Sequence, residues 1–569
     1  MRGFLALLGG DDRHRTSPTW AAPGVRVEVG DGAAFAQHGP IVAVADLRLD
    51  NRAEVRERLG AAPEADDAGL LLAAYRAWGP DLVDHLDGPF AFVVWDGRDR
   101  RATFARDALG LRPLYRARVG RTLLLGTDLS ELRAHVPTDL CAEAVADHLA
   151  GTFAHPWRTA FAAVERVPPA HLGVVRPEAV ADVRTRRFWS PDPSRTLRLG
   201  DEGAERAFRE AFDRSVARRL GGDPAAFLSG GLDSSSIVVT AHALRPEAVP
   251  PTLSIVYDAP VADERRFVEA VFGVTGARSH RIEGVSLSLL GGLDADLNAV
   301  GEPFFTPNLF LTRSLYSEAA RLGHAAVLDG FAGDSVVFHG EQRLSELAWR
   351  LRWPTFLREV RAVAARTSHP RRTALRLVRD YALAPLVRRP ARPGLTFAHP
   401  DLPRPEAETL PPRTVRAAHH AEMAAPFLSR AVEVAHASAA SFGVAPRYPF
   451  LDRRLVELCL SLPPEQRLRD GLTRSVLRRA MAGRLPDILR DRPGKARLGG
   501  LFVEALFDRE PETLRRLVHE DAPRAADLLD VRALLTAYER ARTHPEARDT
   551  VALPLWRAVT LARWRTLNP

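Results

Sequence analysis

The chain has 569 residues, 46% hydrophobic and 26% charged, a balance that excludes a disordered or fibrous protein and predicts more than one globular domain. Acidic and basic residues interleave through most of the chain, with the richest basic zone from Arg343 to Arg392, so the net charge of +8 favours a solvated surface over a nucleic-acid face. With no apolar run long enough to cross a membrane, a poor signal peptide at Met1–Leu5 and only two distant cysteines, Cys141 and Cys459, a cytoplasmic protein without membrane contact is expected.

Short β-like runs open the chain at 3–8, 25–29, 41–47, 90–95, 101–106 and 122–126, separated by Gly, Asp and Pro. Between them, 52–59 and 68–78 place apolar residues at helical spacing. This first domain, 1–190, reads as an α+β sandwich that ends in the linker 188–194, and a second domain spans 200–569. A helix over 202–220 leads into it.

The apolar run Ala225–Leu228 then reads as a buried strand, followed by Ser229-Gly230-Gly231-Leu232-Asp233-Ser234-Ser235 and the start of a helix. Glycines allow a tight turn and a close approach of phosphate, and a helix N-terminus offers free N–H groups to an anion. Ser229, Ser234 and Ser235 add hydroxyls. No Lys follows the glycines, so this is not the Walker pattern. Asp233 suits such a place if a cation offsets its charge.

Strands over 252–257, 279–282 and 325–328 alternate with helices over 264–274 and 310–322, which predicts a parallel sheet with helices on both faces. Asp329-Gly330-Phe331-Ala332-Gly333-Asp334-Ser335 follows the last of these strands, so Asp334 is expected at the same sheet edge as Asp233, where two carboxylates could hold Mg²⁺. Gly301-Glu302-Pro303-Phe304 is read either as lining an acceptor pocket or as a plain loop. The segment 344–442 looks like a helical insertion broken by prolines, and part of it is expected to border the substrate cavity. Of 79 basic Lys and Arg residues, only Lys495 is a lysine, in Arg490-Asp491-Arg492-Pro493-Gly494-Lys495. A lone lysine in an arginine-rich chain suggests a place that needs a point charge.

Several of these stretches carry a family resemblance. Leu86 to Asp96 and the motif Arg106-Asp107-Ala108-Leu109-Gly110-Leu111-Arg112-Pro113-Leu114-Tyr115 resemble the amidotransferase domain of glutamine-dependent asparagine synthetases. The loop from Leu228 to Ser235 resembles the pyrophosphate loop of ATP pyrophosphatases, and Tyr448-Pro449-Phe450-Leu451-Asp452 matches the synthetases' Pro-Phe-Leu-Asp segment. The resemblance implies an amidotransferase-like (Ntn-type) α+β sandwich and an α/β synthetase domain of the ATP-pyrophosphatase type with a helical insertion. It implies ATP and Mg²⁺, a pyrophosphate site at Leu228, Ser229, Gly230, Gly231, Asp233, Ser234, Ser235 and Gly330, metal ligands Asp233 and Asp334, and Lys495 beside the α-phosphate. That family's nucleophilic cysteine has no counterpart here, where Arg2 and Gly3 follow Met1, so glutamine hydrolysis is not expected.

Two departures refine the resemblance. Phe331 and Ser335 stand where asparagine synthetases have glutamates, and Phe331 cannot serve as the proton-accepting Tyr of β-lactam synthetases. Asp329 to Gly340 is most similar to lasso-peptide macrolactam synthetases, asparagine-synthetase homologues that close a peptide ring. This implies a precursor peptide as substrate, a leader-peptide-binding protein and a leader peptidase as partners, and Glu302, Phe331 and Ser335 in the substrate pocket. An ammonia-dependent asparagine synthetase or β-lactam synthetase is the alternative.

Overall fold

The opening run Phe4-Leu5-Ala6-Leu7-Leu8 is apolar at every position because both of its faces are covered. In the computed structural model, which describes residues 3–9, 19–257, 263–387, 393–406, 410, 412–492, 494 and 499–568, it forms β1 (Phe4–Gly9). The strands that follow are β2 (Trp20–Ala22), β3 (Val25–Val29), β4 (Ala34–His38), β5 (Ile41–Leu47), β6 (Phe90–Asp96), β7 (Arg101–Arg106), β8 (Tyr115–Val119), β9 (Thr122–Gly126), β10 (Val164–Arg166), β11 (His171–Val175) and β12 (Thr185–Arg187). They build two antiparallel sheets, ordered β10-β8-β9-β1-β3-β2 and β12-β11-β7-β6-β5-β4.

Successive side chains of β1 point to opposite faces. Phe4, Ala6 and Leu8 meet Val44, Val93, Trp95 and Phe104 of the other sheet. Leu5 and Leu7 face outward, and the layer that covers them comes from the second domain: Leu293, Phe304, Trp556 and Val559 join the same core. The other sheet's outer face is covered by the helices Arg52–Leu59 and Asp67–Trp78, through Val55, Leu70, Leu71 and Tyr75. The sandwich is therefore layered on one side by its own helices and on the other by the second domain, so the two domains share a core.

The second domain is built on a parallel sheet, β13 (Ala225–Phe227), β14 (Thr252–Val256), β15 (Ser279–Glu283), β16 (Ala326–Leu328) and β17 (Ala445–Arg447), ordered β15-β14-β13-β16-β17. Ala226 pairs with both Thr252 and Leu328, so the chain leaves β13 and β16 side by side at their carboxyl ends. The helices Asp201–Arg219, Leu232–Leu244, Arg265–Thr275 and Leu309–Arg321 flank the sheet. The expected helical insertion is present: Gln342–Trp349, Trp353–Ala365 and Pro370–Val378 pack around Leu344, Leu347, Phe356, Val360 and Leu377.

Charges also join the domains. Arg106 and Arg166 of the sandwich both bind Glu433 of the helix Pro426–Ala440, at 2.6 and 2.8 Å, and Arg166 also bonds Glu302, which Arg430 holds at 2.8 Å. All of these side chains are buried or nearly so. Although burial alone would raise its pKa, Arg166, Arg106 and Arg430 hold the Glu433 carboxyl down at about 2.

Candidate active site

Gly230 turns the chain after β13 with φ of +73°, and a Cβ there would meet the Phe267 side chain at 3.0 Å and the Glu264 carbonyl at 3.1 Å. Only glycine fits both the backbone and the space. Gly231 caps the helix Leu232–Leu244, whose first-turn N–H groups face the turn. Ser229 and Ser234 close the loop: their hydroxyls lie 3.2 Å apart, Ser229 N–H donates to the Ser234 hydroxyl, and Gly231 N–H donates to that of Ser229. Ser235, expected to join them, is fully buried and is not among the residues lining the loop's cavity. A helix rotates about 100° per residue, so adjacent serines cannot share a face.

The loop after β16 comes against this helix. A Cβ on Gly330 would lie 2.8 Å from the Ser234 backbone nitrogen, and one on Gly333 would lie 2.6 Å from the Asp233 carboxyl carbon. Two glycines thus bring Asp334 to the same edge as Asp233. Asp334 is 43% exposed, accepts a 3.1 Å bond from Ser335 N–H and lies 4.0 Å from His339 Nε2. Asp233 is buried, and Arg474 Nη1 donates to both of its carboxylate oxygens at 2.7 Å. Arg474 reaches it from a left-handed backbone position, φ +54°, at the start of the helix Ser475–Ala480. Two carboxylates at this edge are of the hard-oxygen type that could hold Mg²⁺, with Asp334 the more accessible donor and both oxygens of Asp233 engaged by Arg474. Among the described residues no cluster of three or more His, Cys, Asp or Glu side chains forms a metal site from protein donors alone.

Between the two loops lies a cavity of about 330 Å³. Leu228, Ser229, Gly231, Asp233 and Ser234 form its floor with Gly330 and Phe331, and Leu253, Ile255, Leu311 and Leu315 form apolar walls. A few polar groups on an apolar concavity is the usual make-up of a small-molecule site. Phe331 sets its ring edge-on to Tyr448 at 5.8 Å. Burial, reinforced by Asp329, pushes the Tyr448 phenol far up, so it stays protonated beneath Phe331.

The structure separates some predicted residues from this cavity. Glu302 lies in the interdomain ion cluster, where it accepts from Ala160 N–H at 3.0 Å and lines a different cavity, of about 500 Å³, between the domains. Ser335 sits beside Asp334, whose carboxylate accepts from its N–H, and is not among the residues lining the cavity. Lys495 lies outside the described residues. No described residue of 344–442 lines the cavity; that segment instead supports the Asp334 loop from behind, where His419 stacks on Phe338 at 4.7 Å.

Sequence reasoning missed two arginines. Arg474 is 241 positions from its partner Asp233, and Arg492 is 262 from the Gly230 carbonyl, to which it donates at 3.0 Å. Arg492 also pairs with Glu264 at 2.5 Å and lies 4.0 Å over the Phe267 ring, so it fixes both sides of the glycine turn. The one signal was that Arg492 lies in the stretch 490–495 that carries the lone lysine; Arg474 had none.

A glycine turn at a parallel-sheet edge, a carboxylate-bearing loop beside it and an antiparallel sandwich in front together define a nucleotide-using α/β enzyme with an attached amidotransferase-type domain. Comparison with known proteins makes this specific. Residues 207–566 match the asparagine synthase family and residues 37–189 match the glutamine amidotransferase domain family. The asparagine synthetase [glutamine-hydrolyzing] 3 of Bacillus subtilis is 25% identical over 482 residues, covering 80% of this chain and 74% of its own length. Amidase chry2 of Gibberella zeae is 32% identical over 182 residues, covering 30% of this chain and 26% of its own. The chain belongs to the asparagine synthase family, and it is an ATP-dependent C–N ligase of the asparagine synthetase-like, AMP-forming type. Its N-terminal sandwich is the family's Ntn-type amidotransferase fold.

Proposed function

We propose that the chain closes a macrolactam ring in a lasso precursor peptide, joining the N-terminal amine to an Asp or Glu side chain through an acyl-adenylate. The observation that carries this reading is Phe331 in the lining of the cavity, its ring edge-on to Tyr448. A free amino acid brings an ammonium and a carboxylate that both need charged partners, and Phe331 supplies none. A side-chain carboxylate within a peptide makes no such demand.

The peptide carboxylate oxygen attacks the α-phosphorus of ATP and pyrophosphate leaves. Gly231, Ser229, Ser234 and the helix N-terminus behind them receive the leaving phosphates, and Arg492 keeps their turn in shape. The apolar walls Leu253, Ile255, Leu311 and Leu315 suit a nucleobase. Magnesium, held by Asp334 with Asp233, would offset phosphate charge. The amine then attacks the acyl carbon, loses a proton and expels AMP; Lys495 is the residue proposed to balance charge at the phosphate. A leader-peptide-binding protein and a leader peptidase would supply the substrate.

The test is ATP–pyrophosphate exchange and product mass with a leaderless precursor peptide, with aspartate plus ammonia as the competing substrate. A peptide product lighter by one water supports ring closure. Asparagine formation with no peptide product would establish the synthetase reading instead.

A further inference from the structure

We propose that the outer face of the helices Trp353–Ala365 and Pro370–Val378, with the turn that follows, docks an acidic, leucine-bearing polypeptide segment. Between residues 350 and 380 the sequence holds nine arginines, against Glu359 and Asp380. Glu359 is buried and spent inward, on Arg343 at 3.0 Å and on Gly471 N–H at 3.3 Å. Arg350 pairs with Glu346, Arg379 with Asp380, and Arg366 donates to the Asp470 carbonyl. The side chains of the other six, Arg352, Arg358, Arg361, Arg371, Arg372 and Arg376, are exposed and make no hydrogen bond or ion pair with any described residue.

Apolar side chains stand among them. Leu351 and Leu375 are each 73% exposed, Leu383 55%, and Trp353 and Leu357 41%. Scattered exposed leucines are ordinary, but these five crowd into one short stretch of a long chain, which marks a contact surface. The face is also held rigid from behind. Phe356, Val360 and Leu377 are buried on the inner side, and a Cβ on Gly471 would lie 2.4 Å from the Ala362 backbone, so the helix is seated tightly on the 467–474 turn. A surface fixed before binding loses little freedom on binding.

The charge pattern selects the partner. Unpaired arginines call for carboxylates, which they hold in a fork geometry. The leucines are separated by arginines along the chain (Arg372, Leu375, Arg376, Arg379, Leu383) and do not gather into the undivided apolar face that a lipid surface takes up. Of the aromatic side chains on this face only Trp353 is exposed, with Tyr381 half-buried, so single-stranded nucleic acid is poorly matched. A polypeptide that alternates acidic and apolar groups meets both kinds of side chain. None of these residues lines the catalytic cavity, so the proposal stands apart from the proposed reaction.

The experiment is fluorescence anisotropy on the full chain with a labelled synthetic Glu/Leu peptide. Its controls are the same peptide with Glu changed to Gln and with Leu changed to Ser, anionic phosphatidylserine vesicles, and a short single-stranded DNA. The Glu/Leu peptide should bind, and each peptide control should bind about tenfold more weakly or worse. The triple variant R371Q/R372Q/R376Q and the double variant L375S/L383S should each weaken it severalfold, with thermal midpoints unchanged. Binding that neither variant alters, equal binding of the leucine-free peptide, or tighter binding to vesicles or DNA than to the Glu/Leu peptide would overturn the proposal.

Discussion

Glu433→Gln is the substitution that most directly probes why the sandwich and the synthetase domain stay together. The carboxylate receives Arg106 at one oxygen and Arg166 at the other, at 2.6 and 2.8 Å, and the two arginine side chains are 1% exposed. Removing its charge leaves two buried guanidiniums short of a partner, with Glu302 able to satisfy only Arg166. Breaking a buried pair in this way costs about 3–5 kcal/mol. Because Leu5 and Leu7 share a core with Trp556, the loss should lower the unfolding midpoint of the whole molecule and not of one domain. The same residue sets a pH response. A carboxyl lowered from 4.5 to about 2 stabilises the fold fully above the unfolded value, and that contribution drains away as pH falls from about 4.5 towards 2. Calorimetry of wild type and variant at pH 7 and pH 3.5 should show a clear gap at pH 7 that narrows in acid. Equal midpoints at pH 7, or a gap that widens in acid, would refute the reasoning.

Four substitutions address the site and the residue proposed to act beside it. Gly330→Ala drives a Cβ to 2.8 Å from the Ser234 backbone nitrogen, so it should part the two loops and raise the KM for ATP about tenfold or more; an unchanged KM would mean the loops need not touch. Asp334→Asn should shift the Mg²⁺ dependence of pyrophosphate release to higher concentration more than it affects folding, whereas Asp233→Asn should also loosen Arg474, seen as a lower thermal midpoint. Lys495→Arg should lower turnover about a hundredfold, because a planar fork does not replace a point charge, and near-normal turnover would remove the lysine from the mechanism.

The nucleotide loop was legible because its signals are local: an apolar run, two glycines and serines within one short stretch, at a point where strand gives way to helix. The alternating strands and helices that follow were legible for the same reason. Short strands such as β17, Ala445-Pro446-Arg447, escaped because three residues with a proline show no alternation, and β17 exists only as the edge partner of β16. Ser235 follows Ser234 in sequence but not into the cavity lining, because adjacent residues on a helix point to different faces. Glu302 looked like a pocket residue, yet what fixes its role is Arg166, 136 positions away, and a pairing across two domains leaves no trace in local spacing. Arg474 was hidden likewise by its distance from Asp233.

Exchange of labelled pyrophosphate into ATP, driven by a leaderless peptide with a free N-terminus and an acidic residue at ring-forming distance, tests the central claim most directly. Exchange should require the peptide's side-chain carboxylate, disappear when that residue becomes Asn or Gln, and accompany a cyclic product one water lighter. Exchange driven by free aspartate and indifferent to the peptide would contradict it.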